Sequence, residues 1–576
     1  MKYDKLTNWA EGFRHDGLLY FTQRIDEMLF HYTDHVYKAP VLNTFLLVDE
    51  FIKTAKLVKE GTINENHLKQ IMAEFQESIK KDIIVKEHID EAEKTRFLQK
   101  LNSSSIDGQL QMMKYIKYIL CDYNEWCKQY IKEIVPKEKE KKKIESAMRC
   151  YIPGLIAAGY SHEFIFFHNK EVFAKSPVSS LESLDTFLNR FDFKNKMFNV
   201  YIAIDKEAIA FQSVLEQRLR VDFGPFEGET DLKYDNSKYH LVKVQIAAFD
   251  EQSAAWKAYD TLNVFFLYYR FLSEQKDSWF FPKAKVTCEN CETAFVNLKD
   301  YGLNYSRTKD RELLAKHSEL IISALQANAK KSYYLINRAI TAHNIAIDDL
   351  DIRNRFLNLW STLEIVFVSD QDDGKLSEIL KKAVPILQKD YLYYLFYSIV
   401  IAVEELVENE RLSEIVGSID EEDRSNGIIY IIALKKYSEQ RTKLYETLNN
   451  YPLLRSRISQ LNEICNNKKL LQDSINTYTQ RITWHITRLY RTRNAIIHSG
   501  RKPDYLRELV EHLHSYSDEC LLELIMLLSQ NPQLGTISNA IIDVQFRVER
   551  SAALLKSKEP VSREDINSLL DLKTES

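Results

Sequence analysis

The sequence contains little glycine or proline: 14 glycines and 11 prolines in 576 residues, each less than half of average usage. Proteins with many strands need these residues in their turns, so their scarcity argues against an all-β fold. The sequence also lacks an apolar run of about 20 residues, the length that a membrane-spanning helix needs. The longest run, Tyr391 to Val403, has 13 residues and predicts a buried helix. We therefore expect a mainly α-helical protein with no membrane segment.

The chain has no large excess of basic charge. Its formal charge is −5 and its pI is near 6.3, which argues against a polybasic nucleic-acid coat protein but leaves a local basic surface open. The N-terminal stretch "MKYDKLTNWAEGFRHD" lacks the apolar core of a signal peptide. We therefore expect a cytoplasmic protein.

Cysteine is present at seven positions, an odd number in a large chain, and this predicts reduced thiols. The segment "CENC", Cys288 to Cys291, has the spacing of half a zinc site, but no second pair follows at a suitable spacing. Ordinary free thiols are the expectation there. We predict no metal site and no cofactor.

The pattern of residues divides the chain into four segments. Residues 1–145 are charged and helical in pattern, and 146–305 form a mixed α/β module that could act as a sensor. Four stretches of this module are rich in β-branched and aromatic residues and predict strands: "EFIFFHNKEVFA", "FNVYIAIDKEAIAF", "RLRVDFG" and "YHLVKVQIAAFD". Helical periodicity returns in 306–545, and 546–576 are expected to form a polar tail.

The segment "RTRNAIIHSG", Arg491 to Gly500, departs from the pattern that precedes it. Upstream, apolar residues recur every three or four positions, as a buried helical stripe requires. The stripe consists of Leu471, Ile475, Tyr478, Ile482, Ile486 and Leu489. The next stripe position is Arg493, and burying its guanidinium costs several kcal/mol unless it finds an anion or several hydrogen bonds. His498 follows five residues later, and Ser499-Gly500 predicts the end of the helix.

The Arg-x4-His spacing is by itself a weak signal. It also occurs in "RAITAH" (Arg338, His343) and "RELVEH" (Arg507, His512), where the arginine does not interrupt an apolar stripe. At about 100° per residue, Arg493 and His498 lie about 140° apart on a helix. A site that uses both needs a distorted last turn or a second copy of the helix.

Together these residues resemble a known family. "LYRTRNAIIHSG" is similar to the active-site segment of HEPN-domain ribonucleases, particularly the ApeA-like group, and "RFLNLWSTLEIVF" (355–367) resembles that group's first domain helix. The resemblance covers roughly residues 340 to 530. It implies a C-terminal HEPN-like helical bundle preceded by the helical and mixed α/β regions.

The resemblance also implies a function. Arg493 and His498 would be the catalytic pair of a metal-independent endoribonuclease, with Asn494 positioning them. The site would form at a homodimer interface. Supporting or RNA-binding roles are expected for Arg488, Arg491 and Glu364. The products would carry a 2′,3′-cyclic phosphate and a 5′-hydroxyl.

The biology implied by the resemblance is bacterial defence by abortive infection. Cellular RNA such as tRNA would be the target, and the N-terminal region would sense a phage-derived trigger. Two alternatives remain open: a non-catalytic HEPN-like dimerisation or interaction protein, and a purely structural role in which Arg493 pairs with a carboxylate such as Glu364 while His498 caps the helix.

Overall fold

The computed structural model describes most of the chain. The described residues are 9–30, 33–61, 63–175, 177–226, 229–273, 279–289, 292–298, 318–319, 322, 330–349, 351–368, 374–419 and 423–572. Helices dominate them, accompanied by one small sheet, so the prediction of a mainly α fold with a mixed α/β region is confirmed.

The chain divides into two compact units, and one of them is discontinuous in sequence. Residues 1–153 and 306–576 together form the first unit, and residues 154–305 form the second. The chain-order division into 1–145 and 306–545 therefore does not describe two separate compact bodies. The reason is that the N-terminal helices share a core with the C-terminal ones, as the contacts below show.

The first unit begins with eight helices. These are α1 (Asp16–Leu29), α2 (Thr44–Lys59), α3 (Asn66–Lys81), α4 (Ile83–His88), α5 (Glu91–Ser103), α6 (Ile106–Ile119), α7 (Tyr123–Ile134) and α8 (Lys141–Ala158). The boundary of the unit falls at Pro153, inside α8.

Within the part of the chain that the structure describes, eleven further helices with assigned bounds follow the second unit. We number them α13 (Lys330–Asp348), α14 (Ile352–Phe367), α15 (Lys375–Leu406), α16 (Asn409–Val416), α17 (Arg424–Ala433), α18 (Ser438–Thr447), α19 (Pro452–Cys465), α20 (Lys468–Ser499), α21 (Leu506–Gln530), α22 (Ile537–Leu554) and α23 (Arg563–Leu569). The predicted buried run 391–403 lies within α15, whose inward face includes Phe396 and Val400. Part of the expected polar tail is also structured, since Ile566 of α23 is fully buried.

The long helix α20 runs through the core of this unit. It packs against α15, α14, α19, α21 and, from the N-terminal part of the chain, α3. All six residues of the predicted apolar stripe are buried. The stripe therefore does what its spacing indicated, and the partners that cover it come from both ends of the sequence.

The second unit contains an antiparallel five-stranded sheet of order β2-β3-β1-β4-β5. Its strands are β1 (Lys196–Asp205), β2 (Val221–Phe223), β3 (Tyr239–Ala248), β4 (Phe280–Thr287) and β5 (Ala294–Asn297), and its helices are α9 (His162–Lys170), α10 (Glu182–Asn189), α11 (Gln212–Leu219) and α12 (Glu251–Ser273). Helix α12 covers one face of the sheet, where Val200, Val244 and Ala258 meet in a common core.

Three of the four predicted strand stretches contain strands, and one prediction is wrong. "EFIFFHNKEVFA" (163–174) forms α9 and a following π-helical turn. Ser161 caps this helix by accepting a hydrogen bond from the backbone N–H of Phe164 at 3.1 Å. A short aromatic run fits a buried helix as well as a strand, and the N-cap decides between them here.

The expectation of ordinary thiols in "CENC" is wrong for Cys288, which is disulfide-bonded. Cys291 lies outside the described residues. Cysteine usage indicates the redox environment of a protein as a whole, and it does not decide whether one particular cysteine is oxidised. Among the helices of the described residues, none is long and apolar enough to cross a membrane.

Candidate functional site

The candidate site lies at the C-terminal end of α20. Asn467 caps the start of this helix by accepting a hydrogen bond from the backbone N–H of Lys469, and the helix then continues for 32 residues. It ends at Gly500, whose φ of 65° is the left-handed conformation that favours glycine. The predicted end of the helix is confirmed.

Both of the predicted supporting arginines, Arg488 and Arg491, are buried in a cluster of charges. The Arg488 Nε donates to Oε1 of Glu50 at 3.0 Å, and Nη2 of Arg491 donates to the same oxygen at 2.9 Å. Arg488 also donates to Glu74 on α3. Two guanidiniums therefore meet two carboxylates, and the cluster ties α20 to α2 and α3.

The electrostatics of this cluster follow from burial and charge. Burial by itself would raise the pKa of Glu50, but Arg488 and then Arg491 outweigh it and hold that pKa below its ordinary value. Burial opposes the charged form of Arg488, yet Glu50 and Glu74 raise its pKa. The guanidiniums of Arg488 and Arg491 therefore bind carboxylates inside the protein. This arrangement does not suit the RNA-contacting role expected for them, because that role needs guanidiniums that can reach a phosphate.

Arg493 is placed differently. Its side chain is 23% exposed, and its Nη2 lies 3.8 Å from Oε1 of Glu364, a contact too long for a hydrogen bond. The same Glu364 oxygen accepts a hydrogen bond from the Trp360 indole at 2.9 Å. Arg493 Nη1 donates to Oδ1 of Asn494 at 3.2 Å. The structure therefore brings together Arg493, Asn494 and Glu364, with the buried Trp360 fixing the carboxylate.

His498 is the next-to-last residue of α20 and is exposed. The last turn is closed without it, because the N–H of Gly500 donates to the carbonyl of Ile496 at 3.0 Å and Ser499 Oγ donates to that of Ala495 at 2.7 Å. The helix stays α-helical through Ser499. Within one chain, Arg493 and His498 therefore keep the angular separation of about 140° that a regular helix gives them.

The other two Arg-x4-His segments have different surroundings. His343 Nε2 lies 2.7 Å from Oδ1 of Asp518, and His514 Nε2 lies 3.6 Å from the same oxygen. These three side chains are the one group among the described residues with ligand types and spacing for a metal ion, their ligand atoms lying within 4.8 Å of one another. The planes of the two imidazole rings make an angle of 21°, so the rings stack on each other. His512 stands against His485 in the core.

Sequence reasoning missed Glu50 and Glu74, the two carboxylates that neutralise the buried arginines. They are more than 400 positions away from the arginines that they neutralise, and nothing in their own neighbourhood marks them. The only available signal was indirect: several arginines on a helix with a buried stripe require anions from somewhere.

Known proteins give no further indication of the site's role. Protein-family models, curated proteins and solved structures were each compared with the chain, and none matches.

Proposed function

We propose that the protein is a metal-independent endoribonuclease of the HEPN type, with Arg493, Asn494 and His498 as its catalytic residues. One contrast within α20 carries the proposal. Arg488 and Arg491 are buried and hydrogen-bonded to carboxylates, whereas the carboxylate nearest to Arg493 among the described residues, that of Glu364, lies 3.8 Å away and Arg493 stays partly exposed. His498, which is exposed, follows on the last turn of the same helix.

These residue types suit RNA cleavage without a metal. The reaction needs a base for the 2′-hydroxyl, an acid for the leaving 5′-oxygen and a cation for the charged transition state. Histidine exchanges protons near neutral pH, and arginine grips a phosphate with two parallel donors. The 2′-oxygen attacks the phosphorus and the bond to the 5′-oxygen breaks, which leaves a 2′,3′-cyclic phosphate and a 5′-hydroxyl.

Glu364 would position the arginine rather than react. Its carboxylate is fixed by Trp360 and stays 3.8 Å from Arg493, close enough to orient the guanidinium without closing its hydrogen-bonding edge. Asn494 holds the other end of the guanidinium at 3.2 Å. An arriving phosphate would find the donors already oriented, which lowers the entropy lost on binding.

A homodimer is part of the proposal. Because the last turn of α20 is regular, one helix presents Arg493 and His498 in different directions, and a second copy related by a two-fold axis can supply the missing residue. Ile497 is 47% exposed beside His498 and offers apolar surface for such a contact. Each of two equivalent sites would take Arg493 from one chain and His498 from the other.

The biological role in the proposal is bacterial defence by abortive infection in the cytoplasm. A nuclease that cleaves cellular RNA such as tRNA must be restrained until infection. Residues 1–153 share the compact unit of the candidate site, so the sensing of a phage-derived trigger falls more naturally to the second unit, 154–305.

The decisive experiment is cleavage of total RNA by the purified protein, followed by sequencing of new 5′-hydroxyl ends. Replacing His498 by alanine should lower cleavage by about 10²–10⁴-fold, the usual loss for a general acid–base group, and replacing Arg493 by alanine should lower it by about 10²–10³-fold, the usual loss for a group that stabilises the charged transition state. The melting temperature should stay within a few degrees, because neither side chain has a hydrogen bond that holds the core. Arg411→Ala, at a surface arginine that pairs with Glu414, is the matched control.

The outcomes separate the two candidate functions. Well-folded His498→Ala protein that still cleaves RNA would show that this histidine is not catalytic. A folded dimer with no cleavage of any RNA, in the wild type and the variants alike, would favour the non-catalytic interaction protein.

Mixing variants tests the shared site. In a random mixture of Arg493→Ala and His498→Ala chains, half of the dimers are hybrids, and each hybrid has one site with both residues intact. About one quarter of the wild-type activity should return. No recovery in a mixture shown by mass to contain hybrids, or cleavage by a monomer, would contradict the two-chain site.

A further inference from the structure

A cavity of about 470 Å³ lies within the first unit, upstream of the candidate site on α20. Its walls come from the segment 35–43 and from α2, α3, α8, α20 and α21. The volume is within the range of about 300–1,000 Å³ typical of small-molecule sites. Arg481 on its wall is twelve positions before Arg493, or about 18 Å along the helix axis, so the cavity and the candidate site are separate places.

The negative groups that line this cavity already have partners. Glu74 receives Arg488, Glu77 receives Lys81, and Asp82 receives Thr44, Tyr123 and two backbone N–H groups. Among the lining cations, Lys38 is paired with Glu511 at 3.1 Å. Glu74 and Glu77 thus face cations, whereas the partners of Asp82 are neutral groups, so the negative charge of Asp82 remains in the lining.

Two arginines of the lining lack such a partner. Arg149 has one ion pair in the part of the chain that the structure describes, a 3.9 Å contact with Glu145. Glu145 is already occupied by Arg24 at 2.7 Å and lies 3.6 Å from Arg457. Arg481 has no ion pair with any described residue. Asp82 offsets part of their charge, so the lining keeps an excess of about one positive charge, which comes from Arg149 and Arg481.

The two guanidiniums also repel each other. Burial, and then the charge of Arg481, lower the pKa of Arg149 to about 10. Confining like charges is unfavourable unless an anion joins them, and a phosphate monoester, with a charge of about −1.5 to −2 at neutral pH, matches two arginines in both charge and geometry. The same cavity is lined by Trp484 and His512, whose rings can pack against an aromatic group.

We propose that this cavity binds a free mononucleotide, with the phosphate between Arg149 and Arg481 and the base against the aromatic wall. The binding site does not depend on the ribonuclease proposal, because none of its residues belongs to the candidate catalytic group. If that proposal also holds, α20 connects the two sites directly, and the nucleotide would act on the end of the same helix.

The test is titration of the full-length protein with AMP, GMP, CMP and UMP by isothermal calorimetry, with adenosine and inorganic phosphate as comparisons. At least one mononucleotide should bind saturably, and more tightly than either comparison. Arg481→Gln should weaken that binding at least ten-fold. Arg411→Gln, a surface change, should leave it unaltered.

Arg481→Gln is a safe variant because its side chain is exposed and unpaired among the described residues. Without nucleotide it should melt at the same temperature as the wild type or higher, since a repulsion with Arg149 is removed. Absence of saturable binding by all four nucleotides at millimolar concentration would overturn the proposal. Equal binding by wild type and Arg481→Gln, or binding of adenosine as tight as that of AMP, would overturn it too.

Discussion

We expect the largest change in stability from a substitution in the buried charge cluster, which consists of Glu50, Glu74, Arg488 and Arg491. Replacing Glu50 by glutamine keeps the shape of the side chain but leaves two buried guanidiniums with one carboxylate. Removing one partner from a buried charge pair costs about 3–5 kcal/mol, because the remaining charge stays out of water without compensation. We expect Glu50→Gln to lower the free energy of unfolding by that amount.

A second change should restore part of the loss. In the double variant Glu50→Gln/Arg491→Gln, Arg488 and Glu74 remain as one balanced pair. The double variant should therefore be more stable than Glu50→Gln alone by about 1–3 kcal/mol, a coupling that contacts in one network commonly show. The surface pair of Arg501 and Glu60, with side chains 60% and 48% exposed, is the matched control: Glu60→Gln should change stability by less than about 0.5 kcal/mol.

Urea unfolding of the full-length chain measures the overall change in the free energy of unfolding. A chain with two compact units need not unfold in one step, however. Hydrogen exchange read by mass spectrometry assigns the effect to particular helices. Protection should fall in peptides from α2 and α20, and recover in part in the double variant. If Glu50→Gln is no less stable than Glu60→Gln, or if the double variant is weaker than Glu50→Gln, the charge-balance argument is wrong.

Three further predictions follow from other contacts. Burial, and then Arg491, lower the pKa of His67 to about 4. The neutral form of His67 therefore stabilises the fold fully above pH 6.5 and less as the pH falls towards 4. In urea unfolding, the loss of unfolding free energy between pH 7 and pH 5 should be about 1–2 kcal/mol smaller in His67→Gln than in the wild type. Gly427→Ala should cost about 1–3 kcal/mol in the same assay, because the added Cβ would lie 2.5 Å from Cγ1 of Val416; an unchanged midpoint would mean that α17 moves freely. Deleting residues 1–153 should leave the remaining helices insoluble or without cooperative unfolding, and a folded truncated protein by circular dichroism would contradict the shared core.

The fold shows how far periodicity alone reaches. Spacing by threes and fours identified the buried stripe of α20, and the sequence Ser499-Gly500 marked its end, because both depend only on residues close in the chain. The strand prediction for the short aromatic run at 163–174 is wrong, because this run is helical. Such a run fits a helix or a strand equally well until the capping residue is considered.

Within the candidate site, the sequence by itself determined where Arg493, Asn494 and His498 lie on the helix, and that one regular helix cannot aim the first and last at one phosphate. Only the tertiary structure decided which arginines are available. In the sequence Arg493 is the arginine at a position of the buried stripe. In the structure Arg488 and Arg491 are the more deeply buried ones, and Glu50 and Glu74 neutralise them from more than 400 positions away. Burial and charge pairing are properties of contacts between distant segments, so no local pattern encodes them.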